Sequence, residues 1–224
     1  MRRRHKKNTS DFPFAILWGL LTGTLYFLFL RPQLLKWGTR LGESQRRLPG
    51  DDLIPNPNIQ ETHAVDIDAP PEAVWPWVAQ MGRARTGWYT FDMLTNNGIP
   101  SATYLRHDLS APRPGMQMDH GLKVMTVEEN RLLIVGGYDL PDRLGTTLDL
   151  SLLYLLERKS DGSTRLLVRM RGYTYGILSA FSNLLLEVLV FALINSQLRG
   201  IKYRAETMAY LHMPVPREHE ISLN

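Results

Sequence analysis

Cysteine is missing from all 224 residues of the chain. Its absence excludes disulfide bonds, thiolate nucleophiles and cysteine-ligated zinc or iron–sulfur centres. A strong excess of one charge is missing too, because 26 basic and 22 acidic side chains leave a net charge of only +4. Much of that excess lies in the first seven residues. A basic surface for nucleic acid is therefore not predicted.

Several motifs that carry enzyme chemistry are also missing. The histidines show no H-E-x-x-H or comparable ligand spacing, no serine lies in a G-x-S-x-G sequence, and the glycines form no phosphate or dinucleotide loop. No metal and no cofactor is predicted. Gly136-Gly137 better fits a β-bulge or turn. The pairs His107-Asp108 and Asp119-His120 could meet as a metal or acid–base site, although polar residues in surface turns are the simpler interpretation.

One long apolar run lies near the N-terminus. Residues 12–30 carry no charge, and as a helix they would span roughly 28 Å, close to the thickness of the hydrocarbon core of a bilayer. We predict a basic tail over residues 1–11 and a transmembrane helix over 12–30. A cleaved signal peptide fits less well, because Arg31-Pro32-Gln33 follows the run in place of small residues.

The charges that flank this run predict a single-pass protein of the cell membrane, with the bilayer as a partner. Basic residues are slightly denser before the run than after it, which weakly favours a cytoplasmic N-terminus. The side of the membrane on which the rest of the chain lies stays open.

The chain after the run divides into a linker and one domain. Residues 31–58 are rich in proline, glycine and aspartate, which is typical of turns and of a connector without its own core. We predict the domain over 59–213 and a C-terminal tail over 214–224.

The order of elements in the domain predicts an α+β fold. A strand at 63–68 is followed by a helix that starts at Pro70-Pro71-Glu72 and ends at Gly82. A second short helix is predicted at 89–96 and a long helix at 178–212. Between them lie candidate strands, at 101–107, 115–118, 122–128, 132–135, 146–158 and 164–173. Lys159 to Ser163 form a hairpin turn between the last two.

Alternation in the last two strands divides their side chains between two faces. The apolar face carries Leu148, Leu150, Leu152, Tyr154 and Leu156 with Leu166, Val168 and Met170. Arg165, Arg169 and Arg171 fall on the opposite face.

Four segments of this domain, in their order and spacing, resemble the SRPBCC superfamily of START-like, helix-grip proteins, often labelled polyketide cyclase/dehydrase and lipid transport. The segments are LPGDDLIPNP, APPEAVWPWVAQMGRARTGWYTFDML, STRLLVRMRG and LRGIKYRAE, and the resemblance covers roughly residues 48–212. It implies a curved antiparallel sheet that grips the C-terminal helix, with a cavity between them for an apolar or amphipathic ligand. It implies no catalytic set, since the superfamily contains both binding proteins and unrelated enzymes.

The resemblance extends to individual positions. It covers the helix aromatics Trp75 and Trp77, the Gly87-Trp88-Tyr89 turn with Asp92 behind it, Arg169 and Arg171 on the late strand, and Lys202, Arg204 and Glu206 on the last helix.

Glu187 is isolated within LLLEVLVFALI, where an unpaired charge would be costly in an apolar environment. With Asn183 and Asn195 on a similar face, it could belong to a polar stripe that faces solvent. Alternatively, it could meet an arginine or a ligand head group inside the cavity, or the helix could form a second transmembrane pass.

Flexible methionines and aromatic side chains suit the lining of an apolar cavity. The candidate ligand-binding residues are Trp77, Trp88, Tyr89, Asp92, Met93, Tyr104, Met125, Leu150, Met170 and Glu187. Tyr89 and Asp92 could also form a general acid/base pair if both face the cavity.

The sequence thus predicts a membrane-anchored module that binds a lipid-like or other hydrophobic small molecule. A first alternative is a cyclase, dehydrase or hydrolase acting in the same cavity, which would need polar groups that converge there. A second is an accessory subunit of a membrane complex, with a filled core and an exposed apolar patch on residues 184–194. Binding without catalysis is the preferred interpretation.

Overall fold

The computed structural model describes residues 11–211, except 84, 142–145 and 178. The predicted tails over 1–11 and 214–224 therefore lie outside the described residues, apart from Asp11. The domain combines a sheet of six antiparallel strands with a long C-terminal helix, α5 (Ser179–Leu211). This confirms the α+β class, and the arrangement is consistent with a helix-grip fold.

The strands lie in the order β1-β6-β5-β4-β3-β2, so the first strand pairs with the last. Their bounds are β1 Ile59–Ile67, β2 Gln117–Asp119, β3 Leu122–Glu128, β4 Leu132–Pro141, β5 Thr147–Arg158 and β6 Thr164–Tyr175. Two short helices, α3 (Pro71–Ala79) and α4 (Asp92–Thr95), connect β1 to β2. The predicted bounds of β3 match the structure at both ends, and those of β5 and β6 differ from it by one and two residues.

Two predicted elements between α3 and β2 are wrong. The helix predicted at 89–96 is too long, because only Asp92–Thr95 form α4, while Tyr89 has a positive φ of 56° and Phe91 is the non-helical N-cap. The strand predicted at 101–107 does not form. The amide of Arg106 and the carbonyl of Tyr104 bind the side chain of Gln80, so these backbone groups do not pair with a neighbouring strand.

The inner face of the sheet packs on α5 and α3 and contains most of the hydrophobic core. Val168 and Met170 of β6 and Tyr154 of β5 meet Ile194 and Leu198 of α5 there. This is the face that the alternation of leucines predicted. Gly137 precedes a bulge in the β4–β5 pairing, which agrees with the expected bulge or turn at Gly136-Gly137.

Residues 35–58, the segment directly before β1, pack on the outer face of the sheet, and we call this segment the cover. Leu48 of this segment is buried in a second apolar cluster with Ala64, Ile134 and Leu167. The predicted connector, residues 31–58, therefore shares the core of the sheet.

The arginines of β6 hold this cover in place from the outer face. Arg169 is only 2% exposed, donates to the backbone oxygens of Arg46, Glu43 and Ser44, and pairs with Asp51 at 2.9 Å. Arg165 pairs with Glu43 at 2.6 Å in the same way. These ion pairs use the face that the sequence assigned to the arginines.

The cover also protects the free edge of β1. The amides of Thr62 and Ala64 donate to the backbone oxygens of Leu35 and Trp37, at 2.8 and 3.1 Å. Unpaired strand edges invite association with other chains, so this pairing closes one edge of the sheet.

The N-terminal apolar run is helical, because α1 (Asp11–Leu25) and a π-helical turn (Tyr26–Leu30) cover it, and α2 (Arg31–Leu34) follows directly. Many of its apolar side chains are exposed, Phe14 by 66% and Trp18 by 62%. By length and composition, one helix among the described residues could cross a membrane, and that helix is Ser182–Leu211, with 33% of its apolar stretch buried inside the protein. Membrane crossing by residues 12–30 stays a prediction.

Candidate ligand cavity

An apolar cavity of about 220 Å³ lies between the inner face of the sheet and α5. The strands contribute Leu122, Leu148, Leu150, Leu152, Tyr154 and Met170, and α5 contributes Leu186, Val190, Leu193, Ile194 and Gln197. Arg83, Trp88, Thr90, Leu94, Thr95 and Asp119 complete the wall.

The periods of strand and helix place these side chains together. In β5, every second residue from Leu148 to Tyr154 points inward, and Met170 of β6 lies directly opposite Leu152. In α5, Leu186, Val190 and Ile194 are four residues apart and therefore share one face of the helix.

The polar groups in the cavity wall are bonded to one another. Asp119 accepts from Arg83 at 2.7 Å and from the indole nitrogen of Trp88 at 2.9 Å. Gln197 accepts from the hydroxyl of Tyr154 at 2.8 Å and donates to the backbone oxygen of Trp88 at 2.9 Å. Because these groups already have partners, the wall offers mainly apolar contact to a ligand.

Three of the ten predicted binding residues line the cavity, and these are Trp88, Leu150 and Met170. Trp77 and Tyr89 are buried beside the cavity and pack edge-to-face at 6.2 Å. The hydroxyl of Tyr89 bonds to Gln80 and Thr86. Both side chains therefore support the wall from outside the cavity.

The other predicted residues lie elsewhere. Asp92 accepts from the amide and hydroxyl of Ser101, so it fixes the loop after α4 and does not pair with Tyr89. Met93 and Tyr104 are 82% and 64% exposed. Met125 packs with the outer cluster, because its position in β3 places it on the other face of the sheet.

In the two histidine–aspartate pairs, both aspartates bind arginines. Asp108 binds Arg106 and Asp119 binds Arg83, so the acidic partners are taken by arginines. Among the described residues, no group of three His, Asp or Glu side chains could hold a metal ion.

Glu187 is only 4% exposed, so its assignment to a stripe that faces solvent is wrong. It accepts from Arg31 through both carboxylate oxygens, at 2.5 and 2.7 Å. The partner arginine that we considered exists, but it comes from the end of the N-terminal apolar run and lies outside the cavity wall. This ion pair joins the run to α5.

A second pair of polar residues was not singled out from the sequence. Glu61 and His63 of β1 are fully buried, and the His63 Nε2 atom lies 2.8 Å from the Glu61 Oε2 atom. The ring of His63 lies 5.9 Å from that of Phe191 in α5. Both residues occupy inward positions of β1 together with Ile59, Val65 and Ile67, but the strand predicted at 63–68 did not include Glu61.

Burial changes the ionisation of both groups. Loss of water raises the pKa of Glu61 to about 9, with a further rise from the nearby charge of Glu187 and an opposing effect of Arg31. Loss of water also lowers the pKa of His63 to about 4. At neutral pH the pair therefore consists of a neutral carboxyl group and a neutral imidazole.

These pKa values predict that stability decreases at alkaline pH. The pKa of Glu61 is above its ordinary value of 4.5, so the folded chain binds the extra proton and stability falls as pH rises from 4.5 to about 9. The pKa of His63 is below 6.5, so stability rises with pH between about 4 and 6.5. Up to pH 6.5 the gain of stability from His63 opposes the loss from Glu61. Above pH 6.5 only the loss from Glu61 remains, so stability decreases.

The substitution Glu61→Gln tests this dependence. From pH 6.5 to 9, we expect the wild-type chain to lose up to about 1.4 kcal/mol of unfolding free energy per pH unit relative to the variant. Thermal unfolding of both full-length proteins across that range gives the difference. Parallel curves would show that Glu61 does not hold an extra proton in the folded chain.

Comparisons with known proteins concern the fold alone. No protein-family model matches the chain, and no curated protein matches it. A protein from Nitrosomonas europaea is 15% identical over 68% of this chain and 97% of its own, with a TM-score of 0.45. A protein from Mesorhizobium loti is 15% identical over 66% of this chain and 98% of its own, with a TM-score of 0.43. DynU16, from the dynemicin biosynthetic locus, is 17% identical over 64% of this chain and 47% of its own, with a TM-score of 0.39.

Proposed function

We propose that this chain is a membrane-anchored module that binds a hydrophobic small molecule, such as a lipid-like compound, in its internal cavity. The observation that carries the proposal is the apolar cavity between β5, β6 and α5. Its polar wall groups bond to one another, so a ligand gains chiefly from burial of apolar surface.

The positions of the candidate catalytic groups favour binding over catalysis. An enzyme acting in the cavity would need polar side chains that converge there. Tyr89, Asp92 and Glu187 are instead engaged with Gln80, Ser101 and Arg31 outside the cavity wall.

The N-terminal apolar run supports the anchor. Its charge-free composition and exposed side chains suit a hydrocarbon environment, and Arg31 at its end suits the level of the lipid headgroups. The pair between Arg31 and Glu187 holds this end against α5, and the neighbouring residue Leu186 lines the cavity. The anchor would thus keep the cavity close to the bilayer, where hydrophobic ligands partition. In this arrangement we place the N-terminus in the cytoplasm, as the denser basic residues before the run weakly favour.

A second candidate function is an accessory subunit of a membrane complex. The observation that favours it is the exposure of Leu185, Val188 and Leu189 on α5, by 51, 48 and 44%. An exposed apolar patch of this kind suits a protein or lipid partner. The cavity argues against an accessory subunit, because that function predicts a filled core.

Extraction of the full-length protein tests the proposed function. The chain is purified in detergent from membranes, and its organic extract is analysed by mass spectrometry against a mock purification from cells without it. We expect one apolar compound in reproducible proportion to protein. A stable protein that yields no such compound, and whose melting temperature does not rise with added 1-octanol or octane, would contradict the binding function.

A further inference from the structure

Glu61 and His63 lie on the same inward face of the sheet as the cavity, one strand beyond its wall. In the β1–β6 register, Glu61 is directly opposite Met170 and His63 is directly opposite Val168. Met170 itself lines the cavity. Directly opposite residues of adjacent strands point to the same face, so Met170 is the side chain between the cavity and Glu61.

Both members of the pair have a buried atom without a hydrogen-bond partner among the described residues. These atoms are the Oε1 of Glu61 and the Nδ1 of His63. Four other buried side-chain atoms of the described residues also have no partner, and these are the Tyr26 hydroxyl, Trp77 Nε1, Arg85 Nε and Asn195 Oδ1. Buried polar atoms without partners destabilise a fold, so a bound group that satisfies them contributes favourably.

The free atoms always amount to one donor and one acceptor. If the neutral carboxyl group donates to Nε2, then Nδ1 carries the free hydrogen and Oε1 is the free acceptor. If the imidazole Nε2–H donates to the carboxyl group, then Nδ1 is the free acceptor and Oε1 carries the free hydrogen. The result is independent of the tautomer of His63.

This pattern discriminates between ligand head groups. A hydroxyl group both donates and accepts, so it can bond to whichever free atom it reaches. A carboxylate only accepts and an ammonium group only donates, and either charge would lose its hydration at a site without exposed surface. A hydrocarbon end would leave both free atoms without partners.

We propose that the Glu61–His63 pair is the polar end of the ligand site and that the ligand is an uncharged apolar alcohol whose hydroxyl group bonds to this pair. The inference rests on the proposed binding function and names the ligand class of that cavity. Met170 has a flexible, unbranched side chain that can turn aside as the ligand extends from the cavity towards β1. The Arg31–Glu187 pair lies close enough to influence Glu61 electrostatically, but its charges already neutralise each other.

A series of ligands with one chain length and different ends tests this proposal. The full-length protein in detergent is titrated with 1-octanol, octane, octanoate and octylamine, and dissociation constants follow from the rise in melting temperature. We expect 1-octanol to bind about tenfold more tightly than the other three, the scale of one net hydrogen bond. The double variant Glu61→Leu/His63→Phe, which removes every polar side-chain atom of the pair, should bind 1-octanol and octane equally, whereas Glu61→Gln, which keeps a donor and an acceptor, should retain the preference.

The outcomes separate the two proposals. If no ligand of the series binds the wild-type protein, the cavity does not bind apolar molecules and the proposed function fails. If the ligands bind without preference for the alcohol, or the double variant keeps that preference, the cavity function stands and the role of the pair is overturned. Octane binding shows that the cavity of each variant is intact. If this double variant does not fold, Glu61→Met/His63→Leu replaces it, with loss of the alcohol preference expected.

Discussion

Replacing Arg169 with methionine is expected to destabilise the full-length chain by about 3 kcal/mol or more. The guanidinium group is buried on the outer face of the sheet and donates to three backbone oxygens of the cover, those of Arg46, Glu43 and Ser44. It also pairs with Asp51, which is itself mostly buried. A methionine would leave these acceptors without their donor. Arg171 lies 3.7 Å from Asp51 and compensates only in part.

Denaturant unfolding of the detergent-solubilised protein measures this loss. The matched control is Arg131→Met, since the side chain of Arg131 is 60% exposed and pairs with Glu128 within one turn. We expect that control to change the unfolding free energy by less than about 0.5 kcal/mol. Equal effects of the two substitutions would mean that the cover contributes little to the stability of the sheet.

The parts of the fold that depend on local periodicity could be predicted from the sequence. The two-residue alternation in β5 and β6 identified both strands, their hairpin and the inward face that lines the cavity. It also placed Arg165, Arg169 and Arg171 on the other face. What that face contacts could not be predicted, because the cover follows no period and lies more than 100 residues earlier in the chain.

Local periodicity could not predict the irregular region between α3 and β2. The segment 101–107 contains residues that suit a strand, but its backbone bonds to the side chain of Gln80. The positive φ of Tyr89 excludes this residue from the helix predicted at 89–96, and its amide donates to the Ser101 side chain. Tertiary contacts of this kind override local propensity.

The candidate site was predicted in part for a similar reason. Leu150 and Met170 follow from strand alternation, and Trp88 from the family resemblance. Met93 and Tyr104 were chosen by residue type, which does not tell whether a loop turns its side chains towards solvent. Glu61 and His63 were missed because their burial depends on α5, whose Phe191 is more than 120 residues away.

The largest effect on binding is expected from Leu186→Trp. Leu186 points from α5 into the cavity, and an indole ring there would occupy space that a ligand needs. Displacing three or four buried methylene groups of a ligand costs about 3 kcal/mol, so affinity for 1-octanol and octane should fall about a hundredfold. Stability should change by only about 1 kcal/mol, because the ring enters existing space.

Leu185→Trp is the matched control, since this neighbouring residue is 51% exposed and does not line the cavity. Both variants receive the same substitution one position apart on the same helix, so general effects of tryptophan on α5 or on the micelle are shared. Melting-temperature titrations should show wild-type affinity in Leu185→Trp and almost none in Leu186→Trp. If both variants lost affinity equally, the ligand would contact the exposed face of α5. That result would favour the exposed apolar patch of α5 over the cavity as the binding site. If neither lost affinity, the ligand would bind away from α5 altogether.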